Sequence, residues 1–365
     1  MSPGGVESVI VNTLQGLNYA KFDATLFIMY KKVEEKDNLR KIPACVKIQY
    51  LFQKQPKKYL QIILYYLMIL LPPFITNKFL VKEPFDIIVT TKDVFTFPIS
   101  AAKCKKVMWI HSGLEHLRTE KITVGNKLKN AIKELKYRKF DNIILLTNQA
   151  KESFCTKFTL RSKCYVMPNP INSEVIETLA KEPVTDYIFK PGLTIVCSSR
   201  LSIEKGVDRL IKVCDRLMKQ GYEFHVLILG DGPEKPHLHN LLSTNSLLKE
   251  KITILGYKEN PFKYMSQSSL YVSPSYTEGF SLSIAEAMIA GLPILSTHCN
   301  GPAEILDNGK YGLLVDNNEN GMFEGLKEIV STPHLLEEYR MKSTERKAIF
   351  NYKTTIELFE EIILT

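Results

Sequence analysis

The chain has 365 residues, of which 45% are hydrophobic and 24% are charged. That length predicts about two domains, and that composition excludes disordered and fibrous proteins because enough apolar residues are present for large cores. The seven cysteines are scattered without a C-x2-C pair, which is typical of small buried side chains in a reducing compartment. Because no secretory signal pattern is present either, we expect a cytoplasmic protein.

The net charge of +9 is distributed unevenly. Residues 1–180 are strongly basic, whereas residues 181–365 are net acidic. This asymmetry indicates a surface for an anionic partner on the N-terminal half. No RNA- or DNA-binding motif accompanies the charge, so we expect no nucleic-acid partner. An anionic membrane surface, at the inner face of the cell membrane, is the better candidate.

Short apolar runs alternate with amphipathic segments along the N-terminal half, which predicts parallel strands joined by helices. The chain opens with a glycine-containing segment, Ser2–Glu7, and an amphipathic helix is predicted over Val9–Leu17. The segment Val46–Phe52 fits a short strand or the start of a helix. Strands are predicted at Ala24–Met29, Asp86–Thr90, Lys106–Ile110, Asn142–Thr147 and Cys164–Met167.

An almost wholly apolar run covers Leu60–Leu71 and ends at Pro72 and Pro73. About 12 residues cannot cross a bilayer, which requires roughly 20. The run is therefore either a buried helix or a helix that docks on a membrane, where the preceding Lys57 and Lys58 would suit anionic headgroups. Because short apolar runs more often belong to a core, we favour the buried helix.

His111 directly follows the predicted strand Lys106–Ile110. Polar residues at the carboxyl ends of parallel strands lie where ligands bind in open α/β sheets. A histidine satisfied within its own loop is the alternative. A basic segment, Val124–Phe140, predicts a helix with a solvated face or a membrane or acceptor surface.

Arg200 and Lys205 follow the first predicted strand of the C-terminal half, Leu193–Ser198, and precede a helix predicted over Val207–Gln220. Two cations at the mouth of a strand and before a helix suit a diphosphate, because arginine forks onto phosphate oxygens and lysine supplies a point charge. A surface ion pair with Glu204 is the alternative. Further strands are predicted at Phe224–Leu229, Ile252–Leu255 and Gly312–Val315.

The stretch Tyr271–Pro302 reads as strand, turn, helix and strand, which predicts a parallel β-α-β unit. The helix is expected to end at Gly291, a left-handed C-cap type. Glu278 and Glu286 lie eight residues apart around the start of this helix, where backbone N–H groups form a ready anion site. That spacing places both glutamates at one crevice if Glu278 precedes the first turn.

These motifs resemble those of the family 4 retaining glycosyltransferases, in particular members of the bacterial surface-polysaccharide type. The resemblance is carried by Glu278-Gly279-Phe280, Glu286-Ala287-Met288 and Gly301-Pro302, with Arg200-x4-Lys205 upstream. It implies an α/β fold of two doubly wound Rossmann-like domains that face each other across a cleft (GT-B). The expected N-terminal acceptor-binding domain covers residues 1–172 and is completed by a C-terminal helix at 351–365. The expected nucleotide-sugar domain covers residues 190–348, after a linker at 173–191.

The resemblance also assigns roles to single residues. Glu278 and His111 would orient the sugar as catalytic residues, and Glu286 would accept hydrogen bonds from the ribose. Donor-binding roles fall on a larger group, namely Gly4, Gly5, Arg200, Lys205, Gly230, Tyr257, Gly279, Phe280, Ser281, Leu282 and Ser283. The chain departs from the common family string at Ser281, where glycine is frequent.

The implied reaction moves a hexose or N-acetylhexosamine from a nucleotide-diphosphate sugar, with UDP the family's commonest base. The acceptor would be a saccharide or a lipid-linked saccharide in capsule, O-antigen or lipopolysaccharide synthesis. We expect retention of configuration by a front-face route. No D-x-D pair stands ready for Mg2+, so we expect no metal cofactor, with protein cations in its place.

Two alternatives to an active transferase remain. A GT-B sugar-nucleotide epimerase would share the nucleotide site. A truncated, inactive nucleotide-sugar-binding remnant is suggested because no strand-like run precedes Gly4 and Gly5, so that the first strand of the N-terminal domain is expected to be missing. Strand one is usually central in a doubly wound sheet, and its absence would leave two neighbours unpaired.

Overall fold

The structure is a computed structural model that describes residues 5–31, 39–114, 123–160, 163–243 and 245–365. The chain divides into two compact units. The first unit contains Met1–Pro170 together with Tyr352–Thr365, and the second contains Ile171–Asn351. The division therefore falls within Pro168–Ile171, and the last helix of the chain belongs to the first unit.

Strands and helices alternate in both units. The strands are β1 (Thr25–Tyr30), β2 (Lys47–Phe52), β3 (Ile87–Thr90), β4 (Lys105–Ile110), β5 (Asn142–Leu145), β6 (Cys164–Val166), β7 (Thr194–Ser198), β8 (His225–Leu229), β9 (Ile252–Gly256), β10 (Leu270–Ser273), β11 (Ile294–Thr297) and β12 (Leu313–Val315). The helices are α1 (Gly5–Gly16), α2 (Lys58–Leu70), α3 (Pro73–Leu80), α4 (Asp93–Ile99), α5 (Val124–Tyr137), α6 (Asn148–Lys157), α7 (Ser173–Ala180), α8 (Val207–Lys219), α9 (Lys235–Ser243), α10 (Ser246–Lys251), α11 (Phe262–Ser266), α12 (Leu282–Ile289), α13 (Asn300–Ile305), α14 (Glu319–Ser331), α15 (His334–Arg346) and α16 (Tyr352–Leu364).

The first unit contains two parallel sheets, β1-β2 and β3-β4-β5-β6. Residues 5–31 and 39–114 contain no strand that joins β1 to β3. Buried aromatic and aliphatic residues of β4, β5 and α6, such as Ile143 and Phe154, form the core together with Phe140, which precedes β5. Thr147 caps the helix after β5, because its hydroxyl accepts a hydrogen bond from the Ala150 amide at 3.1 Å.

Helix α16 packs against α1 within the first unit. The Tyr352 hydroxyl donates to the carbonyl of Asn12 at 2.5 Å, and the Asn142 amide donates to the carbonyl of Ile362 at 2.5 Å. A Cβ at Gly16 would lie 2.7 Å from the side chains of Ile356 and Tyr352, so a larger residue would require these side chains to shift. The C-terminal helix is therefore part of the fold of the first unit.

Helix α2 corrects the prediction of a buried helix at Leu60–Leu71. Among its described side chains only Met68 is buried, at 3% exposure, while Leu70 is 76% exposed. The apolar run is too uniform to show a face, because almost every position is hydrophobic. Packing on one narrow side therefore leaves most of its apolar side chains in solvent.

The second unit is built on one six-stranded parallel sheet in the order β12-β11-β10-β7-β8-β9. Its core lies between this sheet and helices α8 and α14, and includes Leu210, Cys214 and Leu326. Gly291 has a φ of +85° after α12, as predicted for its C-cap. The linker prediction at 173–191 is partly wrong, since residues 173–180 form α7, which Asn172 caps at 3.2 Å.

All seven cysteines are free. Four are buried as predicted, namely Cys164, Cys197, Cys214 and Cys299. The prediction is wrong for Cys45, which is exposed, and for Cys104 and Cys155, which are partly exposed.

Candidate functional site

Strands β7 and β10 lie side by side at the centre of the second sheet, with Ile195 paired to Leu270. The strand order reverses between them, because β8 and β9 follow on one side and β11 and β12 on the other. Ligands of open parallel sheets bind beyond the carboxyl ends of the strands at such a switch point. The loops that follow β7 and β10 therefore define the candidate site.

Lys205 and Glu278, one from each loop, form a close ion pair. The Lys205 ammonium lies 2.6 Å from Glu278 Oε1, which also accepts a hydrogen bond from the Ser275 hydroxyl at 2.9 Å. The two side chains are 23% and 9% exposed. An ammonium carries three N–H donors, so Lys205 keeps donors for a ligand oxygen while it neutralises the carboxylate.

The N-terminus of α12 lies directly after this pair. Ser281 precedes the helix with a φ of +60°, and its buried hydroxyl has no hydrogen-bond partner. The N–H groups of the first turn, at Leu282 and Ser283, carry the positive end of the helix dipole. Glycine adopts this backbone conformation without strain, so the chain accepts a steric cost to place a hydroxyl here.

Helix α13 supports the backbone between Glu278 and Ser281. The Gly301 amide donates to the Glu278 carbonyl at 3.3 Å. A Cβ at Gly301 would lie 2.7 Å from the Cα of Phe280 and 2.8 Å from the carbonyl oxygen of Gly279. The glycine of the Gly301-Pro302 motif thus permits the close approach that fixes the segment Gly279–Ser281.

Arg209 is a supporting residue that the sequence reasoning missed. Its guanidinium is fully buried and donates to the carbonyls of Pro274 and Ser275, both at 2.6 Å. It also stacks 3.9 Å from the ring centroid of Tyr276. The only sequence signal was a cation in α8 four residues before buried Val213, at the margin of the apolar stripe.

Two glycines allow backbone segments to meet at the switch point. Gly230, after β8, has a φ of +134°, and a Cβ there would lie 1.8 Å from the Ser199 carbonyl oxygen. Gly206 has a φ of +61°, and its Cβ would lie 2.2 Å from the Pro274 carbonyl oxygen. The structure thus explains why a glycine follows Lys205 directly.

Arg200 and Tyr257 lie at the surface of the second unit. Arg200 is exposed two residues after β7, and Tyr257 is 48% exposed directly after β9. Both are accessible to a ligand. The structure therefore brings Lys205, Glu278 and the α12 N-terminus together, whereas Arg200 lies at the surface two residues after β7.

Glu286 lies one turn into α12, in a different electrostatic environment from Glu278. Desolvation by burial is the cause that raises the pKa of Glu286 to about 7. The two glutamates of the motif thus differ: Glu278 is neutralised by a lysine, whereas Glu286 holds its proton up to neutral pH.

The Glu286→Gln variant is expected to remove a pH-dependent loss of stability. The pKa is 4.5 ordinarily and about 7 in the folded chain. As pH rises through this window the unfolded chain releases the proton first, so folding becomes less favourable. When melting temperatures are measured against pH, the Tm of the variant minus that of the parent should increase across that window. Above the window this difference should stay constant. The exposed Glu324→Gln serves as control, and parallel curves for Glu286→Gln and the parent would contradict the assignment.

His111 lies in the first unit, at the end of β4, with its ring 4.8 Å from that of Trp109. Its Nε2 atom is buried without a hydrogen-bond partner. Burial, with a smaller contribution from Lys92, lowers the pKa of His111 to about 3. The imidazole is therefore neutral at physiological pH and suits hydrogen bonding rather than electrostatic attraction.

Gly5, which was predicted to bind the donor, begins α1, and Gly4 lies outside the described residues.

Within the described ranges, no group of three or more His, Cys, Asp or Glu side chains is arranged to hold a metal ion. In the same part of the chain, no helix has the length and hydrophobicity needed to cross a membrane.

The chain matches two family models over most of its length. The model described as Glycosyltransferase Family 4 matches residues 3–175, and the model described as Glycosyl transferases group 1 matches residues 186–347. One similar solved structure is Anabaena Alr3699/HepE in complex with UDP and glucose, with a TM-score of 0.73 and 15% identity over 100% of this chain and 97% of that one.

Two bacterial proteins illustrate the sequence similarity. N-acetylgalactosamine-N,N'-diacetylbacillosaminyl-diphospho-undecaprenol 4-alpha-N-acetylgalactosaminyltransferase of Campylobacter jejuni is 30% identical over 60% of this chain. An uncharacterized glycosyltransferase of Haemophilus influenzae is 27% identical over 99% of this chain and 97% of its own length. The alignments span 58% of the Campylobacter enzyme and 48% of a Methanocaldococcus jannaschii relative, about half the length of each.

Two parallel α/β units, the second with Lys205 and the N-terminus of α12 at its switch point, give the chain the GT-B fold. With both halves matched by the corresponding models, the chain belongs to the family 4 glycosyltransferases.

Proposed function

We propose that the chain transfers a hexose or N-acetylhexosamine from a UDP-sugar to a saccharide or lipid-linked saccharide, with retention of configuration, in surface-polysaccharide synthesis. The observation that carries the proposal is the ion pair of Lys205 with Glu278 beside the N-terminus of α12. It places a cation, a carboxylate and free backbone donors at the switch point of one sheet.

The reaction needs positive charge where the diphosphate leaves. Negative charge grows on the phosphate oxygens as the bond to the sugar breaks, and preorganised donors lower the free energy of that transition state. Lys205 and the first-turn N–H groups of α12 would meet this charge, with Arg200 as a second cation. The Ser281 hydroxyl would add one more donor.

The carboxylates would serve the two ends of the donor. We assign Glu278 to a sugar hydroxyl, because it contacts Lys205 and lies beside the N-terminus of α12. We assign Glu286 to the ribose hydroxyls, which would act as donors to its carboxyl oxygens. A role for His111 in orienting the sugar stays a prediction, as does a front-face route in which the leaving phosphate takes the acceptor proton.

The nature of donor and acceptor is supported by similar proteins. The Anabaena structure contains UDP and glucose. The name of the Campylobacter relative specifies N-acetylgalactosamine transfer to a diphospho-undecaprenol-linked sugar. We further propose that protein cations replace a divalent metal at the diphosphate.

A thermal-shift panel of UDP and UDP-sugars, each with and without EDTA, tests the donor site. A ligand at about 100 times its Kd stabilises the fold by about 2.7 kcal/mol. We expect a higher Tm with UDP or one UDP-sugar, unchanged by EDTA. A shift abolished by EDTA would refute metal independence, and a cooperative melt that responds to no nucleotide would refute the donor site.

The reaction type is tested by incubating the stabilising UDP-sugar with and without a lipid-linked saccharide. Transfer is expected to give a labelled lipid product and free UDP. Conversion of the donor sugar into its epimer without acceptor would instead identify an epimerase.

A further inference from the structure

The surface of helices α2 and α3, here called the hairpin surface, is the most apolar exposed region described. Of 24 large hydrophobic side chains that the described residues expose, 12 lie between Tyr59 and Phe79. Leu70 is 76% exposed and Phe74 67%. Apolar patches of this extent on soluble proteins mark sites of interaction with proteins or membranes.

One side of α2 accounts for its attachment to the first unit. Gln61, Leu64 and Met68 follow each other at helical spacing, and they are the described α2 positions that are buried or partly buried. α3 is held similarly through Thr76 and Leu80. The remaining surface of both helices is thus presented outward by a fixed backbone.

The chain segment that carries the hairpin surface is positively charged up to Glu83, which directly follows Lys82 and accepts a hydrogen bond from Gln49. Residues 38–82 contain eight lysines and arginines and no aspartate or glutamate. Lys54, Lys57, Lys78 and Lys82 are exposed at the ends of the two helices. Cations beside an apolar helix face attract anionic lipid headgroups while the apolar side chains enter the acyl boundary.

The aromatic residues suit the same boundary. Tyr59, Tyr65 and Tyr66 are exposed on α2, and tyrosine prefers the level of the headgroups because it has an apolar ring and a polar hydroxyl. Tyr65 and Tyr66, with Gln61 and Ile62, line a shallow, open depression on this surface.

We propose that the hairpin surface docks on an anionic lipid bilayer, with α2 and α3 lying in the plane of the interface. With 13 residues α2 measures about 20 Å, less than the roughly 30 Å of a bilayer core, so it lies on the membrane rather than across it. The one-sided positive charge selects lipid over a second copy of this equally basic surface.

Cosedimentation with phosphatidylglycerol-containing and pure phosphatidylcholine vesicles tests the proposal. We expect the parent to bind anionic vesicles at least tenfold more tightly than neutral ones. The double variant Leu70→Glu/Phe74→Glu should lower the partition coefficient of the protein onto anionic vesicles at least tenfold. Ile188→Glu/Met341→Glu is the matched control, since it replaces two exposed apolar residues of the second unit and changes the net charge by the same amount.

The electrostatic contribution is tested by comparing Lys54→Gln/Lys57→Gln with Lys219→Gln/Lys353→Gln, which also removes two exposed positive charges. Only the first pair should weaken binding to anionic vesicles. Equal binding to neutral vesicles, or unchanged binding of the Leu70→Glu/Phe74→Glu variant, would overturn the proposal. The proposal would also be overturned if light scattering showed that the parent is a dimer and the Leu70→Glu/Phe74→Glu variant a monomer, while the parent does not bind vesicles.

Docking does not depend on the proposed transferase function. The thermal shift produced by UDP-sugar in the absence of lipid reports the donor site alone. A variant that loses vesicle binding should retain that shift, so the two proposals fail separately.

Discussion

Replacing Lys205 by methionine is expected to lower kcat/KM for the UDP-sugar by about 10²–10³-fold, the usual effect of removing one preorganised donor from a developing anion. The variant loses the cation that would meet the leaving diphosphate, while Glu278 keeps the hydrogen bond from the Ser275 hydroxyl. Steady-state kinetics with varied donor, together with UDP affinity, measures the loss.

The ion pair makes a double-mutant cycle informative. Glu278→Gln alone should reduce transfer, and Lys205→Met with Glu278→Gln should cost less than the sum, because residues in contact show interaction energies of about 0.5–3 kcal/mol. Lys212→Met is the control, as its ammonium pairs with Asp208 on the exposed side of α8. Additive effects, or donor kinetics untouched by Lys205→Met, would contradict the assigned roles.

Replacing Arg209 by methionine is expected to lower the free energy of unfolding by about 2–3 kcal/mol, since hydrogen bonds from a charged donor are lost and a buried acceptor is left unpaired. The Pro274 carbonyl would lose its partner, whereas Ser275 keeps the hydroxyl of Thr297 at 2.6 Å. Because the segment Pro274–Glu278 would lose its support, UDP affinity should fall at least tenfold. Denaturant unfolding and UDP titration measure both effects.

Arg216→Met is the matched control on the same helix, where the guanidinium is exposed above the ring of Phe323. It should change the unfolding free energy by less than about 0.5 kcal/mol, as is usual for surface substitutions. If Arg209→Met unfolds like the control and binds UDP normally, Arg209 does not support the loop.

The two glutamates of the E-x7-E spacing have acquired opposite environments. Glu278 lies before α12 in contact with a cation, and Glu286 lies within α12, where burial raises its pKa to about 7. The charge state of Glu286 in the free chain therefore changes near neutral pH, whereas Glu278 forms an ion pair with the Lys205 ammonium. These two environments suit the proposed roles. Glu278 would act next to the diphosphate, and Glu286 would accept hydrogen bonds from the neutral ribose hydroxyls.

Local features of the fold were largely predictable. The strands of the second sheet read as apolar runs because both faces of a parallel sheet are covered. Thr147 at a helix start and Gly291 at a helix end follow from the geometry of their own neighbours in sequence. The family and the order of the motifs were likewise readable, since they are properties of the linear string.

Burial of an all-apolar helix was not predictable from sequence. Leu60–Leu71 lacks a polar face, so periodicity gives no direction, and the proportion of its surface that is covered depends on how many elements pack around α2. The structure supplies packing on one side only. What had been favoured as core became the exposed surface proposed here for docking.

The sequence by itself determined the α/β alternation, the family and the residue types at the site, because these depend on local pattern. Only the tertiary structure decided that Lys205 contacts Glu278, 73 positions away. It also decided that Arg209 binds the backbone of the loop that leads from β10 to Glu278. Contacts between distant residues are set by the strand order of the sheet, which brings the ends of β7 and β10 together. No local pattern encodes that order, so the partners of buried charges emerge only when the sheet is assembled.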